Sequence, residues 1–282
     1  NINKDIRLYR VGGYVRDKII GVESKDKDIE VFGLSVNDII TTLNKFGTVD
    51  CFGQKFGVVK LFTEKEQYDF SVPRRDSKNG IGHKGFTVEV DHTMTPYEAG
   101  LRRDFTINSM AENVNGELID FHGGRADIEA KILRPTSDKF AEDPLRILRG
   151  FQFSARFGFD ASQELINIKH ECVKEFADIP PSRIWTEWEK WLLKGKYYST
   201  SLNYLCDVLD SVYPEFAALK NVEQDLIWHP EGNVLKHTGH CLDYLAKKNY
   251  DGDKRIILML AILCHDIGKL THTTHDIDGR IR

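Results

Sequence analysis

Lys25-Asp26-Lys27-Asp28-Ile29-Glu30 carries two carboxylates two residues apart at the start of a β-rich run. Extended backbone turns both to one face, with Cα atoms about 6.5–7 Å apart. Like charges there are unfavourable without a cation, and such a pair can converge on divalent ions that sit about 3.5–4 Å apart in phosphoryl-transfer sites and hold the attacking and leaving oxygens. Glu30 continues the alternation, and Asp69, in Tyr68-Asp69-Phe70, offers a further carboxylate on another short strand. Upstream, Val11-Gly12-Gly13-Tyr14-Val15-Arg16-Asp17 passes from a strand into a helix through two glycines. Glycines there let backbone amides approach a phosphate, and Arg16, one turn in, adds a forked donor; alone, the motif also reads as a plain strand-to-helix turn.

Two arginine-bearing segments follow. Arg102-Arg103-Asp104, with Asn108 beyond, reads either as an anion clamp or as a local ion pair. Glu142-Asp143-Pro144-Leu145-Arg146-Ile147-Leu148-Arg149 opens a helix. Asp143 suits the N-cap with Pro144 in first position, and Asp143/Arg146 is also an ordinary i,i+3 ion pair. Lys236-His237-Thr238 in one helix, and Cys264-His265-Asp266-Ile267-Gly268-Lys269 closing another, supply imidazoles and a carboxylate. That donor set suits a divalent transition metal able to activate water.

Taken in order, Gly12-Gly13-x-x-Arg16-Asp17, Asp26-x-Asp28, Leu101-Arg102-Arg103-Asp104-Phe105-Thr106-Ile107-Asn108 and Glu142-Asp143-x-x-Arg146 resemble the signature of the class II tRNA nucleotidyltransferase/poly(A) polymerase family. The likeness continues through Asp120-Phe121-His122-Gly123-Gly124 to His229-Pro230-Glu231-Gly232, essentially the whole chain. The resemblance implies that Asp26 and Asp28 hold catalytic Mg²⁺, that Gly13 and Arg16 contact an incoming triphosphate, and that Arg103 is a second phosphate clamp. Asp104 and Asn108 would lie near the nucleotide sugar. Asp143 and Arg146 would present acceptor and donor groups to the base edge of C or A in place of a template, with Arg149 reaching the nucleotide from the same helical face. The implied reaction is template-independent addition of CMP and AMP, from CTP and ATP, to the tRNA 3′ end. A-only addition and poly(A) synthesis share these motifs, and the loop from Pro73 to Thr95 is expected to be a flexible element needed for the switch to A.

His237, His265 and Asp266 resemble the start of an HD-type phosphohydrolase domain, whose motif includes a further aspartate well downstream. With Arg282 as the last residue, that centre is expected to be incomplete. A phosphohydrolase whose sheet domain binds RNA is the rival reading. A noncatalytic tRNA-binding protein would require loss of the Asp26/Asp28 pair, and both are present.

The elements that must position these groups are legible as patterns. Short β-rich and helical runs alternate through the first 135 residues: strands at 8–11, 28–32, 58–62 and 68–72, helices at 14–20, closed by Gly21, and 36–46, with Ser35 at the N-cap. Asn115-Gly116 marks a tight hairpin. From Pro144 the strand signals vanish, and helices are predicted at 162–176, 182–193, 202–209, 235–247 and 254–264, with Trp185, Trp188 and Trp191 packing a helix core. The expected fold is therefore an α/β palm-type sheet domain (1–135), an all-α body carrying the nucleotide-selecting helix (136–225) and the start of an HD-type domain (226–282). The chain has 282 residues, 39 Lys+Arg against 43 Asp+Glu and a net charge of −4, which argues against a nonspecific nucleic-acid coat and leaves anion chemistry to placed arginines. The longest apolar run, Ile256 to Cys264, is too short to cross a bilayer, so no membrane association and a cytoplasmic location are expected. Five scattered cysteines without a C-x-x-C pair disfavour a disulfide framework.

Overall fold

The computed structural model describes residues 6–24, 27–53, 57–78, 86–277 and 281. Asp26 lies outside them, as does the glycine-rich tip of the 73–95 segment. The chain divides into two compact units, Asn1–Ala130 with Arg134–Glu142, and Lys131–Leu133 with Asp143–Arg282. Residues 143–225 and 226–282, separated in the sequence reading, lie in the same unit.

The first unit is built on a seven-stranded sheet of β1 (Arg7–Val11), β2 (Asp28–Phe32), β3 (Thr48–Asp50), β4 (Val58–Phe62), β5 (Gln67–Ser71), β8 (Ala111–Asn113) and β9 (Leu118–Ile119), in the order β3-β4-β5-β2-β1-β8-β9. The β2–β5 pairing is parallel, with Asp28 opposite Asp69 and Glu30 opposite Ser71. Strands so paired need a crossover, which α2 (Val36–Leu43) and the β3–β4 hairpin provide. Alternation along β2 sends Ile29 and Val31 to the face covered by α2, where Val31, Ile39, Leu43, Val59, Leu61, Phe70 and Val72 form a buried cluster. Asp28, Glu30 and Phe32 take the opposite face, where Phe32 packs with Tyr9, Val11, Ala99 and Ala111. Burying each such side chain contributes about 1.5–3 kcal/mol, which fixes the register and with it the facing of the carboxylates.

Ser35 caps α2 by accepting the Asp38 N–H at 3.3 Å. The helix stops at Leu43 rather than Phe46, which is 67% exposed and has nothing to bury against. The 73–95 segment, read as a loop, is a hairpin: β6 (Arg74–Lys78) pairs antiparallel with β7 (Phe86–Val90). The remaining helices here are α1 (Gly13–Ile20), α3 (Pro96–Leu101), opened by a Thr95/Glu98 capping box, and α4 (Gly124–Ala130).

The second unit is helical: α5 (Leu145–Phe157), α6 (Gln163–Val173), α7 (Pro181–Lys194), α8 (Tyr198–Val208), α9 (Pro214–Ala218), α10 (Val234–Ala246), α11 (Gly252–Cys264) and α12 (Lys269–His272). One exception to the all-helical expectation is a two-residue parallel pairing of β10 (Ile132–Leu133) with β11 (Asp160–Ala161). Gly158, at φ 71°, ends α5 in the left-handed conformation and lets the chain turn into β11. Trp191 is fully buried, stacked on Phe151 at 5.1 Å and bonded through Nε1 to Ser201 Oγ at 3.0 Å. Trp188 meets both rings, whereas Trp185 is 46% exposed and does not belong to this core. Arg255, buried in α11, donates to the Leu192 and Gly195 carbonyls at 2.9 Å each and so satisfies the C-terminal end of α7. Among the described residues, no helix is long and apolar enough to cross a membrane.

Candidate active site and metal centre

In the first unit the glycine turn, one arginine and one of the strand carboxylates meet. Gly12, between β1 and α1, has φ 68° and ψ −133°, a conformation essentially reserved for glycine. A Cβ placed there would lie 3.1 Å from Arg103 Nη1 and 3.9 Å from Asp28 Oδ2, so backbone, guanidinium and carboxylate share one small space. Gly12→Ala is expected to cost about 1–3 kcal/mol in strain and to push Arg103 aside. Thermal melting should worsen; an unchanged melt would mean that the turn relaxes.

Asp28 sits at the first position of β2 beside Asp69 of β5. Asp69 already has partners, since Oδ2 lies 2.9 Å from Lys60 Nζ and Oδ1 accepts from Gln67 Nε2 at 3.1 Å. An open cleft of about 470 Å³ runs along these groups, lined by Glu23, Ser24, Lys27, Asp28, Glu66 and Asp69 among others. Lys27, which separates the two aspartates of the motif, is paired with Glu66. The cleft is thus rich in hard oxygen donors, the set that suits Mg²⁺.

Glu30, two residues along the same face as Asp28, is buried and bound by Arg102 Nη2 at 2.8 Å and Arg103 Nη2 at 3.3 Å. Burial pushes the Glu30 carboxyl up, and the Arg103 and Arg102 charges more than offset this and hold it below the usual carboxylate range. Glu30 therefore aims the two arginines. The local-ion-pair reading of Arg102-Arg103-Asp104 did not foresee this carboxylate, which lies 72 residues away from Arg102 in sequence.

Arg16 is buried under the glycine turn, its Nη2 3.3 Å from a Cβ built on Gly13. Its Nε donates to Asp17 at 2.8 Å and its Nη1 to Asn108 Oδ1 at 2.5 Å. Asn108 Nδ2 in turn donates to Asp104 Oδ1 at 2.8 Å, which also accepts the Phe105 N–H at 2.7 Å. Asp17, Arg16, Asn108 and Asp104 form one buried chain of charge-assisted bonds that locks the turn against the 104–108 segment.

In the second unit, Asp143 precedes α5. Its Oδ1 accepts the Leu145 N–H at 3.2 Å and its Oδ2 accepts from Arg183 Nη2 of α7 at 2.9 Å. The N-cap of α5 falls on Pro144 rather than on Asp143, so Asp143 reaches the first turn from one residue further out, and it carries an ion pair to Arg183 that the sequence did not reveal. Arg146 and Asp143 both act on Cys172: burial pushes its thiol up to about 12, the Arg146 charge lowering and the Asp143 charge raising it. Arg149, on the same helix, stacks over Phe153 with its guanidinium carbon 5.7 Å from the ring centre.

The histidines of the second unit also assemble. The ligand atoms of His237, His265 and Asp266 lie within 4.8 Å of one another, and those of His229, Glu231 and His237 form a second such group. His265 Nδ1 bonds the Ile262 carbonyl at 2.6 Å, which leaves Nε2, 3.3 Å from Asp266 Oδ2, as the ligating atom. Asp266 Oδ2 also receives Lys269 Nζ at 2.8 Å. Two imidazoles with one committed nitrogen each, plus a carboxylate, fit a divalent transition metal. Glu231 was not singled out from sequence, although the signal was there in His229-Pro230-Glu231, next to a predicted helix start. Its own backbone N–H, and then the two imidazoles, against the effect of burial, pull its carboxyl down to about 2.

Residues 8–134 match the Poly A polymerase head domain family. The multifunctional CCA protein of Aliivibrio salmonicida is 39% identical over 83% of this chain and 57% of its own length. That of Acinetobacter baumannii (strain AYE) is 35% identical over 98% of this chain and 66% of its own. The chain thus spans about three fifths of the curated relatives it matches. Among solved structures, the Bacillus stearothermophilus CCA-adding enzyme in complex with CTP superposes with a TM-score of 0.62 at 27% identity, covering 72% of this chain and 48% of that one. The Thermotoga maritima CCA-adding enzyme complexed with tRNA gives 0.59 at 24% identity over 93% and 65%, a likeness of fold. With the head-domain match spanning the glycine turn, Asp28, Asp69 and Arg103, and with relatives aligned beyond it into the helical unit, the chain belongs to the tRNA nucleotidyltransferase/poly(A) polymerase family.

Proposed function

We propose that the chain is a template-independent tRNA nucleotidyltransferase that transfers CMP and AMP from CTP and ATP to the tRNA 3′ end. The observation that carries this reading is the convergence of the Gly12 turn, Arg103 and Asp28 within the reach of one Cβ. Asp28, together with Asp26, would hold Mg²⁺, which when bound neutralises charge spread over the transferred phosphoryl oxygens. Asp69 shares the cleft and, tied to Lys60, serves a lesser part. Arg103, aimed by Glu30, donates to the triphosphate, and the backbone at Gly12 and Gly13 gives it room. Arg16 adds its charge from beneath the turn, and Asp104 with Asn108 lines the sugar side. Asp143 and Arg146 read the base, with Arg149 beside them. Incubation with tRNA lacking its last three nucleotides, Mg²⁺ and labelled CTP or ATP, followed by sequencing of the 3′ ends, tests this directly. Addition of C, C and then A is expected; A alone or a poly(A) tail would assign the chain to another branch of the family.

Arg103→Ala is expected to raise the Michaelis constants for CTP and ATP together, because phosphate contacts do not see the base. Arg16→Ala should do the same and also lower the melting temperature, since it leaves buried Asp17 without its guanidinium. A loss confined to one nucleotide would remove the clamp role. A second site is supported on the helical unit, where His237, His265 and Asp266 would bind a divalent transition metal that, when bound, activates water.

A further inference from the structure

The orientation of His237 is set by a group outside that proposed ligand trio. His237 Nδ1 lies 2.6 Å from Glu231 Oε1, and the same oxygen lies 3.3 Å from His229 Nδ1. The two imidazoles meet edge to face at 4.7 Å and 84°, so His229 braces the ring from the side. The opposite nitrogen of His237, Nε2, faces Cys241 Sγ at 3.5 Å, and the ring centre lies 5.5 Å from that of His265.

A neutral imidazole carries one N–H, and the carboxylate accepts it, so Nδ1 is the protonated nitrogen and Nε2 carries the lone pair, which here faces the Cys241 thiol. His265 is held in the same tautomer by the Ile262 carbonyl. Both rings are therefore poised to ligate through Nε2, and a carboxylate behind a histidine raises the ring's basicity and fixes its angle. Glu231 departs from α10 by entering from the loop before it, so two segments of chain are locked together by one hydrogen bond.

We propose that Glu231 is the positioning carboxylate of a transition-metal centre in the helical unit, accepting the His237 Nδ1–H so that His237 Nε2, His265 Nε2 and Asp266 take the ion. This rests on the metal reading of His237, His265 and Asp266. It assigns Glu231 to the shell behind the ligands rather than among them.

Titration of the metal-free protein with Co²⁺, followed by visible absorption, tests it without any assay of activity. His237→Ala provides the background, including binding at the Asp28 cleft. Glu231→Gln keeps an oxygen acceptor but removes its charge, and is expected to weaken Co²⁺ binding by about 10–100-fold while leaving the band positions at saturation unchanged. Glu231→Asp, which keeps the charge on a shorter stem, should fall between this variant and the native protein and serves if Glu231→Gln does not fold. Affinity within twofold of native in both variants would overturn the positioning role. A shifted band at saturation would make Glu231 a ligand and overturn it equally. If the native protein binds no more Co²⁺ than His237→Ala, the metal reading itself fails and takes the positioning role with it.

Discussion

Asp28→Ala is expected to reduce incorporation of both CMP and AMP by roughly a thousandfold, since a carboxylate on the metal side of a phosphoryl-transfer site supplies about 4 kcal/mol of transition-state stabilisation. The fold should survive. β2 is held by backbone pairing with β1 and β5 and by Val31 and Phe32, which are 2% and 1% exposed, whereas Asp28 is only partly buried at the strand's first position. Asp69→Ala should cost much less, on the order of tenfold, because Lys60 and Gln67 already engage both of its oxygens. Single-turnover incorporation on truncated tRNA, with a thermal melt alongside, ranks the two. Near-native turnover for Asp28→Ala in Mg²⁺ would sink the site, and a larger loss for Asp69→Ala would reverse the order of the two carboxylates.

What the sequence made legible here was local. Alternation from Asp28 to Glu30 placed the two carboxylates on one face of β2 correctly, because period two follows from the pleat alone. Asp69 was legible as a further carboxylate, but not that it stands directly opposite Asp28: parallel register joins residues 28 and 69 across a helix and a hairpin, and no short spacing encodes it. The same holds for Glu30 with Arg102 and Arg103, and for Asp143 with Arg183, each a contact made by packing. Helix ends failed where tertiary contacts decide them. α8 begins at Tyr198, before the predicted 202, because buried Tyr198 bonds the Trp191 and Leu192 carbonyls through its hydroxyl. The 74–78 and 86–90 strands were hidden by glycine and asparagine between them, which read as loop and leave the paired arms too short to register as a pattern.

Base choice gives the second large effect, and the ion pair to Arg183 changes how it must be tested. C and A each carry an amino group where U and G carry a carbonyl oxygen, so a carboxylate accepts from the first pair and repels the second. Each Asp143 oxygen makes one bond, to the Leu145 N–H or to Arg183, and a carboxylate oxygen has a second lone pair for a base. Asp143→Asn keeps an oxygen for the helix cap and offers an amide N–H₂ to a U or G carbonyl. It is expected to relax selection against UTP and GTP by roughly 5- to 150-fold, the worth of about 1–3 kcal/mol per base contact. It also turns that amide toward Arg183, so it is not the silent capping change that the sequence alone would forecast. Losing an ion pair whose side chains are each 28% exposed should cost up to about 1 kcal/mol of stability. Arg183→Met removes the same pair from the other side without touching a base, and should reproduce the stability loss while keeping C and A preferred. If Asp143→Asn retains native selectivity at this reduced stability, Asp143 is a helix cap and an anchor for α7. If Arg183→Met relaxes selectivity as far as Asp143→Asn does, the discrimination belongs to how the pair holds α5 rather than to a carboxylate at the base edge.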